Sequence, residues 1–132
     1  MNGIEKRIKP LVDILNEVEF ISTFSSCEGH FDSADIDKQE ANIKFDVKKD
    51  KENDFEDLAA LILSETAPYW VEAKVEMLKR LYVLPDEKEL RKNYEIIIRP
   101  FEENITPREK RRYTDEAINR VISAVKGYLN VH

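Results

Sequence analysis

Val71-Glu72-Ala73-Lys74-Val75-Glu76-Met77 decides the fold of this chain. Apolar residues at 71, 73, 75 and 77 alternate with charged ones at 72, 74 and 76, the two-residue period of a half-buried strand. Ala, Glu, Lys and Met also favour helix, so helix is the competing reading. A strand here gives the chain four strands and a shared αββ rhythm in its two halves, whereas a helix leaves three. The alternation favours the strand. No residue-level repeat accompanies the rhythm, so the sequence gives duplication no support beyond it.

Working outward, residues 86–93 are charged and read as a turn or short helix. Residues 94–99, Tyr94-Glu95-Ile96-Ile97-Ile98-Arg99, read as a strand ended by Pro100. Thr106-Pro107-Arg108-Glu109 is a capping box with proline at the first helical position. Tyr113, Ala117, Ile118, Val121, Ile122, Val125 and Leu129 then mark an amphipathic helix from Pro107 to about Gly127. On the other side, Pro68 lies beyond a helix carrying Phe55, Leu58, Leu61 and Ile62, with Asn53 as its expected cap. Tyr69 and Trp70 read as core or sheet-face residues. Residues 42–48 alternate as a strand, and the β-branched and aromatic residues 20–25 form another. Ile4, Ile8, Leu11, Val12 and Leu15 predict a helix from about residue 4 to 17. Pro10 is disfavoured inside it, and a start near Lys9 would put that proline in the first turn. The expected fold is a single α+β domain over residues 1–132, of order α-β-β-α-β-β-α. Its mostly antiparallel four-stranded sheet has helices on one face.

The composition narrows the function classes. A net charge of −6 argues against nonspecific nucleic-acid binding over the whole surface, leaving RNA binding without support from charge. One cysteine excludes an intrachain disulfide. No stretch approaches the roughly 20 apolar residues that span a bilayer, and the N-terminus has no apolar signal core. The expectation is a cytoplasmic protein without a membrane partner.

The unusual chemistry sits in one turn, Ser25-Ser26-Cys27-Glu28-Gly29-His30. The serines offer hydroxyls, and backbone N–H groups in a glycine-containing turn can converge on an anion. Cys27 and His30 can face one another, with Glu28 or Asp32 orienting the imidazole as in an activated nucleophile. The same spacing occurs among metal ligands. Cys27, His30 and Asp32 are the candidate set if a metal binds, although a closed Cys/His zinc site would need more ligands than the chain has. The plainer alternative is a small buried cysteine at a strand end, with His30 closing the turn. The basic cluster Arg108, Lys110, Arg111 and Arg112 reads as a solvated face balanced by Glu109, Asp115 and Glu116.

The stretch from Thr23 to His30 resembles the Ser-Ser-Cys-x-Gly-Arg motif of the wybutosine-synthesis methyltransferase family, with His30 in place of the arginine. It is equally similar to small proteins with a Ser-Cys-x-Gly-His motif. The first resemblance implies S-adenosylmethionine as cofactor and a tRNA substrate, with Ser25, Ser26, Cys27 and Gly29 at the site. The turn fits a small-ligand or nucleotide-type binding domain at residues 25–30, with a small anionic ligand as guest, and the resemblance implies a methyltransferase-like protein that modifies tRNA. Two other readings are a structural protein that forms a homodimer through its long final helix and a Cys27-dependent enzyme.

Overall fold

A computed structural model describes residues 3–132. The elements are α1 (Lys9–Asn16), β1 (Ile21–Cys27), β2 (Ala41–Val47), α2 (Glu52–Thr66), β3 (Ala73–Tyr82), β4 (Arg91–Pro100) and α3 (Pro107–Val131). The strands form one sheet in the order β1-β2-β4-β3, every neighbouring pair antiparallel. This is the α+β order read from the sequence.

The decisive segment is strand. β3 pairs with β4 from Ala73 opposite Pro100 to Tyr82 opposite Arg91. It starts two residues later than expected, with Val71 exposed, and runs five residues further. The extension is illegible as a strand because β2 meets β4 only between Tyr94 and Ile98. Beyond that point β3 and β4 form a two-stranded arm with no face to bury, so polar alternation is not required of it. Arg91, Lys92 and Asn93, expected in a turn or short helix, are the β4 half of this arm.

Ala41, Ile43 and Phe45 of β2, Ala73 and Val75 of β3, and Tyr94, Ile96 and Ile98 of β4 are buried against all three helices in one core. These positions share one parity, which puts the helices on one face of the sheet. On the other face Glu95 and Ile97 are nonetheless buried, and the guanidinium of Arg80 lies on Glu95.

Local chemistry explains the helix boundaries. The Thr106 hydroxyl accepts the Glu109 N–H at 3.1 Å, the first bond of the expected capping box, and donates to the Glu109 carboxylate at 3.1 Å. α1 begins at Lys9 with Pro10 in its first turn, because proline deeper in a helix would clash with the carbonyl four residues back. α2 differs from expectation. It begins at Glu52, ahead of Asn53, and Lys51 precedes it with no side-chain cap. A 3-10 turn, Lys49–Lys51, leads into it, and Glu52 and Asp54 complement its positive end. Tyr69 and Trp70 also depart from the core role read for them. Both are exposed, and each carries a cation over its ring, Arg120 at 3.6 Å and Lys74 at 4.8 Å from the centroids.

β1 lies at one edge of the sheet. Its register shifts between Thr23 and Ser25, so Phe24 bulges outward and is half exposed. Beside the bulge, Asn16 of α1 accepts the Thr23 N–H at 3.0 Å and donates to its hydroxyl at 2.8 Å.

Val121 has no exposed surface. Val121→Asp would put a carboxylate among apolar neighbours and should cost more than about 3 kcal/mol. Thermal unfolding checks this, and a variant melting beside wild type would remove Val121 from the core.

Candidate functional site

The turn after β1 does not stand alone. Glu5, in the segment leading into α1, places a carboxylate oxygen 3.1 Å from His30 Nε2. One ligand atom each of Glu5, Cys27 and His30 lies within 4.8 Å of the other two. Glu5 and Cys27 are half-buried and His30 is exposed. Asp32, the third ligand suggested by spacing, is exposed and is not part of this cluster.

Reciprocal bonds hold the arm carrying Glu5 against the end of β1. The Glu28 N–H donates to Glu5 Oε1 at 2.9 Å, and the Arg7 N–H donates to Glu28 Oε1 at 2.9 Å. α3 adds a second brace. Arg111 donates to the Gly29 carbonyl at 3.1 Å and lies 4.9 Å from the centre of the Phe31 ring. Asp115 then accepts from both Arg111, at 2.9 Å, and Arg7, at 2.6 Å. Lys110, nearly buried, donates to Gln39 at 2.7 Å. Two members of the basic cluster, read as a solvated face, therefore support the loop.

Gly29 is buried with φ near +92°, a conformation that favours glycine. An added Cβ would stand 2.9 Å from Phe31 Cζ and 3.3 Å from the carbonyl carbon of Glu40. The turn packs tightly on Phe31, and its donors are already engaged. The Glu28 N–H goes to Glu5, the Gly29 N–H to the Cys27 sulfur and the His30 N–H to the Lys38 carbonyl at 2.7 Å. The convergence of free amides that would cradle an anion is therefore not formed by these three residues.

Burial pushes the Cys27 thiol above its ordinary value. The Gly29 N–H on sulfur pulls it back, while the charge of Glu5, a hydrogen bond to that carboxylate and the charge of Glu28 push it up again. Such a thiol is a poor nucleophile near neutral pH, unlike the activated cysteines of enzymes, which sit in positive surroundings.

Of the six residues picked from the sequence, the structure brings Cys27 and His30 together with their side chains. Glu28 and Gly29 act mainly as braces. Ser25 and Ser26 remain in β1, with Ser26 opposite Ile43 and Ser25 opposite Lys44. An open cleft of about 380 Å³ nearby has other walls, including Ile36, Gln39, Arg99, Phe101 and Lys110. Glu5 and Arg111 were invisible to the sequence reading because they lie 22 and 84 residues from Cys27 and carry no local motif.

No known protein family, curated protein or solved structure matches this chain. The resemblance to the wybutosine-synthesis family rests on the motif itself.

Two measurements probe the turn. Gly29→Ala should destabilise the domain by about 1–3 kcal/mol, since it strains the backbone and displaces Phe31. Wild-type stability in chemical denaturation would refute the tight packing. The raised thiol gives a pH test of its own. Stability from the protonated thiol is present below the ordinary thiol range and is lost as pH rises through the folded value. The rate of Cys27 carbamidomethylation should accordingly reach its midpoint at higher pH than that of a free cysteine peptide measured alongside. An equal or lower midpoint would mean the thiol is not held protonated.

Proposed function

We propose that this is a small-ligand-binding domain whose site is the turn at residues 25–30, and that its first ligand is a thiophilic divalent cation. The observation that carries the reading is the convergence of a carboxylate, a thiol and an imidazole from Glu5, Cys27 and His30. These are the oxygen, sulfur and nitrogen donors that zinc accepts. A tetrahedral ion with bonds of about 2.0–2.3 Å holds its donors roughly 3.3–3.6 Å apart. Glu5 and His30 at 3.1 Å are already that close, and all three donors lie within 4.8 Å of one another, so the remaining adjustment is small. The exposed His30 side chain gives room for that adjustment.

Charge supports a cation over the anion expected from the sequence. Glu5 and Glu28 both act on Cys27, and the nearby guanidiniums of Arg7 and Arg111 are taken up by Asp115. A divalent ion with one thiolate, one carboxylate and a neutral imidazole makes a neutral centre. It also supplies what the free thiol lacks, since a coordinating thiol is deprotonated by the ion it binds. Three protein donors leave a position open to an oxygen or nitrogen atom of a second small molecule.

Titration with Co²⁺ tests this. One equivalent should produce a thiolate-to-metal charge-transfer band that Zn²⁺ then abolishes. Cys27→Ser should remove the band, and His30→Ala and Glu5→Gln should each weaken Zn²⁺ binding more than about tenfold. Asp32→Asn should bind as wild type does. Absence of the band, or undiminished Zn²⁺ affinity in Cys27→Ser, would overturn the proposal.

A further inference from the structure

The two edges of the sheet differ. On β1 the bulge at Phe24 interrupts the ladder, Asn16 occupies the Thr23 amide and Glu5 takes the amide of Glu28 just past the strand. β3, at the other edge, is ten residues long and pairs with β4 without a register shift. Among the described residues, its backbone makes no hydrogen bond outside that ladder. Its remaining N–H and C=O groups face outward and offer a template for another strand.

We propose that the strand it takes is β3 of a second copy of this chain, antiparallel, about a two-fold axis through Leu78. The two four-stranded sheets then become one sheet of eight. Leu78 is exposed on the edge and meets its own counterpart on the axis. Glu76 faces Arg80 of the second copy, and the symmetry makes that pair twice. Lys74 faces Tyr82. Axes set on neighbouring residues fail on charge. One on Glu76, Lys79 or Arg80 puts that charge against itself, and one on Met77 sets Lys74 against Arg80. Like charges directly opposite one another destabilise an antiparallel pair.

The apolar residues give the same register independently. Ala73 and Val75 face the core. Leu81 follows them in parity but lies on the arm and is 60% exposed, and Val83, just past the end of β3, is 53% exposed. With the axis on Leu78, Leu81 meets Val75 of the second copy, and a continuation of the strand by one residue would bring Val83 to Ala73. The exposed arm of each chain thereby extends the apolar face of the other. Arg80 already lies on Glu95, and its planar fork has further N–H donors for Glu76 of the second copy. The apolar stripe of α3, by contrast, is used within the chain, with Ile118, Val121 and Val125 buried in its own core.

Sedimentation equilibrium and oxidative cross-linking test the proposal together. The wild-type chain should show a reversible monomer–dimer equilibrium, and Leu78→Lys should shift it more than tenfold toward monomer with an unchanged circular dichroism spectrum. Directly opposed residues in an antiparallel pair have Cα atoms about 4.5–5.5 Å apart, within the range a disulfide spans. In a Cys27→Ser background, Leu78→Cys alone should therefore cross-link. Glu76→Cys and Arg80→Cys should cross-link when mixed, and neither should do so alone. A monomer at high micromolar concentration overturns the proposal. So does a dimer that Leu78→Lys leaves intact and Leu78→Cys fails to trap.

Discussion

Burial of one face of α3 is the constraint on which the rest of the structure depends. Val121, Ala124 and Val125 are wholly enclosed, and α3 packs against α1, α2, β3 and β4. Burying one Val or Ile side chain stabilises by about 1.5–3 kcal/mol. A few such residues rival the whole net stability of a domain, about 5–15 kcal/mol. With its middle fixed in the core, the start of the helix has one place to lie. Lys110, Arg111 and Asp115 then reach the loop after β1 through Gln39, the Gly29 carbonyl and Arg7. The element that closes the core also positions the chemistry.

Glu5 connects that chemistry to the chain before α1. Its carboxylate takes the Glu28 amide, meets the imidazole of His30 and raises the thiol of Cys27. A group with so many partners is sensitive to any change in local charge. An ion drawing on Glu5, Cys27 and His30 would also tighten the hold on the arm, because one carboxylate would serve both purposes. Binding and local order would then be linked, as in other sites whose donors come from separate segments.

Legibility in the sequence followed the range of the forces involved. Thr106 and Glu109 form a cap from residues three apart, so the pattern alone located the start of α3. Alternation located β2 and the core of β4, because one face of each meets the helices. It failed for the β3–β4 arm, where no face is buried, and gave no sign that Ile97 would be covered on the open side. Asn53 fits the composition of a cap, yet a preceding 3-10 turn already supplies the entry to α2. At the turn, the proximity of Cys27 and His30 was readable from spacing and Gly29. The contributions of Glu5 and Arg111 depended on tertiary packing that no window of sequence contains.

The bulge at Phe24 has a consequence for how large an assembly this fold permits. Joining two copies along β3 consumes the unblocked edge of each, and both outer margins are then β1 strands. There the register is broken and the Thr23 amide is taken by Asn16. A third copy finds no continuous row of donors and acceptors to extend. In such a pair the irregularity in β1 would act as a terminator, favouring a closed pair over a growing filament.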